Sequence, residues 1–327
     1  MRILVVGGAG YIGSHTVRHL ARSGHDVWVY DNLSYGHRPA VPEGRLIEGD
    51  LGDAARLAST LRGGAIDAVM HFAAFTSVPE SVNDPARYYR NNVVGALNLL
   101  DAMRAAGVGK IVFSSTAAVY GVPDEVPIPE TAPTRPINPY GFTKLAIERA
   151  LADYASAYGL GAASLRYFNA CGAADDGTIG EDHRPETHLI PLIFQVALGQ
   201  RPSITIAGTD YPTPDGTCIR DYIHVDDLAD AHLRVLERIA PGRSLTYNVG
   251  TGSGVSVREV VDAVRTVTGH PIPVIEGPRR AGDPPSLVAS ADAARRDLGW
   301  SPRYTEITPI VASAWAWHSA HPRGHAS

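Results

Sequence analysis

A chain of 327 residues, 44% of them hydrophobic, has enough apolar mass for one large or two medium cores. Its formal charge of -5, with acids and bases interspersed, offers no polycationic surface for nucleic acid, and no run of apolar residues reaches membrane-spanning length. Cys171 and Cys218, the only cysteines, are too few for a disulfide framework and lack metal-ligand spacing, which suits a reducing compartment.

Residues 1–6 lack the basic flank and longer apolar centre of a secretion signal, so a soluble, cytoplasmic protein is expected. Arg2–Val6 reads as a buried strand, followed across a glycine turn by a helix over 11–23. Strands are expected next at 26–30, 45–48, 67–72, 110–114 and 162–167, with helices over 53–61, 85–106 and 139–158 between them. Such alternation calls for crossovers and a parallel sheet. Asn138 can cap the last of these helices, with Pro139 in its first turn. Beyond residue 170 the pattern loosens into Gly- and Pro-rich loops (170–185, 207–217 and 276–286), with helices near 189–198, 227–237 and 257–267. A capping box of Ser256 and Glu259 opens the last. The expected fold is therefore a doubly wound α/β sheet, Rossmann-like, with a smaller and discontinuous C-terminal lobe. Residues 1–170, with returning segments near 218–250, make the dinucleotide domain. Residues 171–217 and 251–327 make the substrate lobe.

Gly7-Gly8-Ala9-Gly10-Tyr11-Ile12-Gly13 joins the first strand to the first helix. Gly7 permits a tight turn, Gly10 lets the backbone approach a pyrophosphate, and Gly13 lets helix pack on strand, while the helix N-terminus attracts the negative charge. Asp31 ends the second strand, where a carboxylate accepts hydrogen bonds from a ribose and repels a 2'-phosphate. No arginine follows Asp31-Asn32, so NAD is favoured over NADP. Asp50, followed by Leu51, is either an adenine contact or a helix cap.

Tyr140 and Lys144 stand four residues apart, on one face of the helix that Asn138 opens. A free phenol has a pKa of ~10, and work as a base near neutrality requires lowering it by ~3 units, or ~4 kcal/mol. Lys144 and an oxidised nicotinamide are the two cations that could supply this. The hydroxyl-rich stretch from Ser114 to Thr116 ends the fifth strand, where open α/β sheets bind ligands. Thr116 is the expected bridge between substrate and Tyr140, with Ser114 nearer the cofactor.

Carrying these motifs, the chain resembles the UDP-glucose 4-epimerase family of extended short-chain dehydrogenases/reductases nearly end to end. The likeness runs through residues 7–14, Asp31-Asn32, 71–74, 88–93, 113–121, 139–144 and 165–169, then 210–213, 215–217, 220–225 and 279–283. It implies an NAD site of Gly7, Gly10, Tyr11, Ile12, Gly13, Asp31, Asn32, Asp50, Leu51, Phe72, Ala73, Ala74, Asn91, Ser114, Tyr140, Lys144 and Phe168. It implies a UDP-sugar site of Thr116, Tyr140, Asn169, His188, Leu189, Thr205, Arg220, Arg280 and Asp283, with Tyr140, Lys144 and Thr116 catalytic. The guanidinium forks of Arg220 and Arg280 suit a diphosphate. The implied reaction is inversion at C4 of a UDP-hexose through a 4-keto sugar, in a homodimer formed by the helices at 85–106 and 139–158; N-acetylhexosamine and pentose substrates are alternatives.

Three positions depart from the pattern. Thr76 replaces a lysine that some relatives place near the cofactor, Ala207 replaces a phenylalanine found against the uracil, and Leu287 is intermediate in bulk where size governs entry of an N-acetyl group. Two other functions are disfavoured by residues. A 4,6-dehydratase needs an Asp-Glu pair where this chain has Ala117-Ala118, and a non-catalytic NAD sensor typically loses the Tyr or Lys retained here. His318, His321 and His325 lie among Pro322 and Gly324 in what reads as a frayed tail, and no metal is expected.

Overall fold

A computed structural model describes residues 1–280 and 283–325. Its strands are β1 (Arg2–Val6), β2 (Asp26–Asp31), β3 (Leu46–Glu48), β4 (Ala68–His71), β5 (Lys110–Ser114), β6 (Gly161–Arg166), β7 (Asn169–Cys171), β8 (Ile204–Ala207), β9 (Ile219–His224), β10 (Ser244–Asn248), β11 (Gly254–Ser256), β12 (Val274–Gly277) and β13 (Ser286–Leu287). The helices are α1 (Tyr11–Arg22), α2 (Ala54–Gly63), α3 (Val78–Asn83), α4 (Pro85–Tyr88), α5 (Gly95–Ala106), α6 (Pro139–Tyr158), α7 (Leu189–Ala197), α8 (Val225–Arg238), α9 (Val257–Thr268), α10 (Asp292–Leu298) and α11 (Ile307–Ala320).

The central sheet runs β10-β6-β5-β4-β1-β2-β3, every pair parallel. Helices cover both faces, which is why β1, β4 and β6 are nearly continuous apolar runs rather than alternating ones. One face packs Ile3, Val5, Val17, Leu20, Leu228 and Trp300; the other packs Leu4, Val6, Leu57, Leu99, Met103 and Leu151. A third core, with Ile193, Phe194, Val260, Val264, Ile310 and Val311, lies among α7, α9 and α11. β9 there pairs with β7, β11 and β13, and β8 pairs with β12.

The strand order reverses its direction beside β1, whose neighbours are β2 and β4. Val6 lies opposite Tyr30 on one side and His71 on the other, so the chain leaves all three strands at one edge, at Gly7, Asp31 and Phe72. Open α/β sheets bind ligands at such a switch point.

The helix expected over 85–106 needs correction. Between α4 and α5 residues Tyr89–Val94 are π-helical. The physical cause is visible at Asn92, fully buried, whose amide accepts from the Phe75 N–H at 2.9 Å and donates to the Phe75 carbonyl at 3.0 Å and to Thr143 Oγ1 at 3.1 Å. An inserted residue turns this side chain inward, and such bulges concentrate at functional sites. The loop expected at 170–185 opens within β7, and the loop expected at 276–286 is bounded by β12 and β13.

Candidate active site

A cleft of about 600 Å³ opens at the switch point, lined by Gly7, Gly10, Asp31, Asn32, Asp50 and Leu51 on one side. Phe72, Ala73, Ala74 and Asn91 close the other. Gly7 has φ +82°, and a Cβ there would lie 2.4 Å from the Ala73 nitrogen; one on Gly13 would lie 2.1 Å from the Gly7 carbonyl oxygen. The turn is thus a cradle that any side chain would fill. Gly10 caps α1 without a side-chain bond, leaving first-turn N–H groups for an anion. Tyr11 and Ile12 do not line the cleft. The Tyr11 hydroxyl donates to the Gly172 carbonyl at 2.7 Å, and Ile12 packs into the core under the sheet.

Asp31 is held in place by the N–H groups of Ala9 at 2.9 Å and Leu33 at 2.8 Å. Burial raises its pKa, against the pull of those two donors. Asp50 is not the cap of α2; Asp53 is, accepting from the Arg56 N–H. Asp50 instead accepts from the Gly52 N–H at 2.7 Å and from the Asn32 amide at 2.6 Å, which fixes both at the cleft wall. This donor and acceptor set, with its glycine cradle, fits a dinucleotide. Sequence reasoning missed Ser34, Tyr35, Gly36 and Phe75, which also line the cleft. The one available signal was Gly36, whose Cβ would press on Ala9 and on Asp31 at 3.0 Å or less.

Farther along the sheet edge, β5 and the start of α6 bring Ser114, Thr116, Tyr140 and Lys144 together. Asn138 caps α6 by accepting from the Gly141 N–H at 2.9 Å, with Pro139 in the first turn. Gly141 is required there, since a Cβ would sit 2.7 Å from the Ala118 carbonyl oxygen. Lys144 is 2% exposed; its ammonium donates to the Ser114 carbonyl at 2.7 Å and lies 4.9 Å from the Phe113 ring centre. Burial lowers its pKa to about 7, partly opposed by the Glu148 carboxylate. The Ser114 hydroxyl bonds the Tyr167 hydroxyl, and Phe168 packs beside Val119 and Tyr120. Burial raises the Tyr140 phenol, while the Thr116 hydroxyl pulls it down. The Lys144 ammonium lies 6.0 Å from the Tyr140 ring centre.

The residues expected to hold a sugar nucleotide are spread around the smaller lobe. Asn169 donates to the Asp221 carbonyl at 3.2 Å, and Leu189 packs into the third core behind His188, which precedes α7. Thr205 is exposed on β8. The Arg220 guanidinium is ion-paired with Asp283, and Arg280 is exposed, while Ala281 and Gly282 lie outside the described residues. His188 also faces two carboxylates, Glu181 and Glu186; burial opposes its charge, but the carboxylates win and push it up to about 10. His183 is raised in the same way to about 9.

The chain matches the NAD dependent epimerase/dehydratase family over residues 3–250. It is 54% identical to a UDP-glucose 4-epimerase of Corynebacterium glutamicum over 329 residues, covering 100% of this chain and 99% of that one. Among solved structures it is similar to UDP-glucose 4-epimerase from Brucella ovis in complex with NAD, at TM-score 0.93 and 52% identity over 96% and 97% of the two chains. It is similar also to UDP-glucose 4-epimerase from Bifidobacterium longum in complex with NAD+ and UDP, at TM-score 0.94 and 40% identity over 99% and 100%. With the parallel sheet, the glycine cradle and the Tyr140–Lys144 pair already in place, this full-length similarity makes the chain a member of the UDP-glucose 4-epimerase family within the NAD dependent epimerases and dehydratases.

Proposed function

We propose that the protein interconverts UDP-glucose and UDP-galactose by inverting C4 with NAD held in the cleft. The observation that carries this is full-length identity above 50% to UDP-glucose 4-epimerases, in a chain that retains Tyr140 beside the buried Lys144 and Thr116. NAD, when bound, supplies a reversible two-electron acceptor and a positive charge beside the sugar. Tyr140 takes the proton from the 4-hydroxyl, with Thr116 bonding the same oxygen, and returns it to the 4-keto oxygen after the ring has turned. Lys144 fixes the end of β5 through the Ser114 carbonyl, and with a pKa near neutrality it can relay a proton. Because the base must become a phenolate where burial raises its pKa, the Lys144 ammonium and the positive charge of bound NAD would together have to lower it. Oxidation and reduction cancel over the cycle, so no coenzyme is consumed.

We assign Asn169, His188, Leu189, Thr205, Arg220, Arg280 and Asp283 to UDP, with the sugar ring left free to rotate. On this reading residues 1–170, joined by segments near 218–250, bind the dinucleotide, and residues 171–217 and 251–327 bind the substrate. The exposed Tyr89, Val94 and Phe142, with the Tyr89 and Phe142 rings 6.2 Å apart, form an apolar surface over the π-helical segment and α6, which supports a homodimer through these elements. No helix among the described residues is long and apolar enough to cross a membrane. A cytoplasmic location is the reading that suits the nucleotide-sugar substrate.

Incubation of purified protein with UDP-galactose, without added NAD, should yield UDP-glucose. Parallel incubations with UDP-N-acetylgalactosamine and a UDP-pentose separate the alternative substrates. Inactivity with all of them, in protein shown to contain NAD, would overturn the assignment.

A further inference from the structure

Outside the cleft, the segment Glu181-Asp182-His183-Arg184-Pro185-Glu186-Thr187-His188 gathers four side chains whose ligand atoms all lie within 4.8 Å of one another. We propose that Glu181, His183, Glu186 and His188 form a closed four-coordinate site for a divalent transition ion, Zn²⁺ being the ion that the donor set suits. The C-terminal histidines His318, His321 and His325 form no such cluster among the described residues; His321 stacks on Trp317, 4.9 Å between ring centres.

The first ground is geometric. His188 Nδ1 lies 3.0 Å from Glu181 Oε1 and 3.1 Å from Glu186 Oε1, while His183 Nδ1 lies 3.3 Å from Glu181 Oε1 and 3.5 Å from Glu186 Oε2. A tetrahedral zinc site with arms of ~2.0–2.1 Å has ligand atoms roughly 3.3 Å apart. The three that share Glu181 Oε1 or Glu186 Oε1 lie close to that edge length, and taking one ligand atom from each residue keeps all four within 4.8 Å.

The second ground is polar accounting. The side chains of Glu181 and Glu186 are only 5% and 6% exposed, yet neither makes an ion pair with lysine or arginine among the described residues. Two buried carboxylates need compensating charge. His183 Nδ1 is buried without a hydrogen bond even though two carboxylates surround it. A proton on that nitrogen would be aimed at one oxygen; a nitrogen placed between several oxygens and aimed at none is placed as a lone-pair donor. An ion that displaces the imidazole protons brings two positive charges in their place, which balance the two carboxylates. Imidazole donors argue against Ca²⁺ and Mg²⁺, and a closed set of four argues for a structural ion rather than a catalytic one.

The position gives the ion a mechanical role. Tyr11, from the cofactor turn, sets its ring edge-on to His183 at 6.2 Å, and Asp182 is held by His37 Nε2 on its carbonyl at 2.9 Å and by the His325 N–H on its carboxylate at 2.9 Å. His188 then leads directly into α7. The ion would lock the segment that joins the glycine turn to the smaller lobe.

The test is made on the full chain, first stripped with chelator and dialysed, then titrated with Zn²⁺ or Co²⁺ alone. The expected result is about one equivalent of zinc bound per chain, a rise in thermal midpoint on binding, and the intense visible bands of tetrahedral cobalt. Glu181→Gln and His183→Ala should each reduce bound metal at least tenfold, while His318→Ala should leave it unchanged. Folding of each variant is checked by circular dichroism, and the wild-type titration stands if one variant fails to fold. Substoichiometric zinc with no thermal shift, or weak octahedral cobalt bands, overturns the site and leaves an imidazolium–carboxylate cluster in its place. Metal content is read without any sugar nucleotide, so this result and the epimerase assignment fail independently.

Discussion

Tyr140 stands in a contradiction that the rest of the site must resolve. Burial makes its phenol a weaker acid than a free tyrosine, whereas C4 oxidation requires it to accept a proton near neutral pH. The Thr116 hydroxyl supplies part of the correction, and on the proposed mechanism Lys144 and the positive charge of bound NAD would supply the remainder. Tyr140→Phe removes the proton acceptor while keeping the ring, so kcat should fall by about 10²–10⁴ with the bound NAD content unchanged. Turnover assays with UDP-galactose and absorbance of the released cofactor measure the two separately. A variant within a few-fold of wild type would show that another group carries the proton. Position makes this part of the site legible: a tyrosine and lysine four apart in a helix share a face, and they follow the 110–114 strand in a chain that already carries a dinucleotide loop. The depressed lysine is not legible in the same way, because its cause is burial, which depends on how β5 meets α6.

At the level of elements, the π-helical stretch Tyr89–Val94 links the cleft wall to α6. Asn92 bridges Phe75, which lines the cleft, to Thr143, one residue before Lys144. Asn92→Ala would leave the buried Phe75 backbone groups unpaired, at a cost of about 2–4 kcal/mol. The expected outcome is a lower urea midpoint together with reduced NAD retention, measured on protein purified without added cofactor. Unchanged values for both would mean that water or a neighbouring side chain takes over these bonds. Apolar periodicity alone reads 85–106 as one continuous helix, and it cannot register an inserted residue. β1 and β4 are readable for the opposite reason: covered on both faces, they are nearly continuous apolar runs between turns. β9 and β10 escape such a reading because Arg220, Asp221, Ser244 and Thr246 interrupt theirs, and pairing with distant strands supplies the order instead. The glycine cradle is legible down to single residues, whereas the loop bearing Tyr35 and Phe75 enters the cleft only through tertiary folding.

Across the whole molecule, histidine burial sets a pH limit. His15, His71, His224 and His232 are at most 1% exposed, and burial lowers their pKa values to about 4, 3, 3 and 4 from an ordinary 6.5. Below pH 6.5 the unfolded chain takes up protons at these positions that the folded chain refuses, so stability is lost as pH falls toward 4. Each group contributes roughly 1.5 kcal/mol between pH 6.5 and 5, a large share of a typical net stability when four are combined. In protein freed of metal, His183 and His188 have raised values, and their contribution is already complete below pH 6.5, so it is constant over this interval. Asp31, Asp221 and Asp226, raised by burial, pull the other way as the carboxylate range is approached. The histidines dominate the upper part of the interval, and the urea midpoint should therefore drop steadily from pH 6.5 to 5, with an early onset that carboxylate titration alone cannot produce. A midpoint that stays flat or rises over that range would mean that at least some of these imidazoles are protonated in the folded protein, each with a partner that the buried positions must then provide.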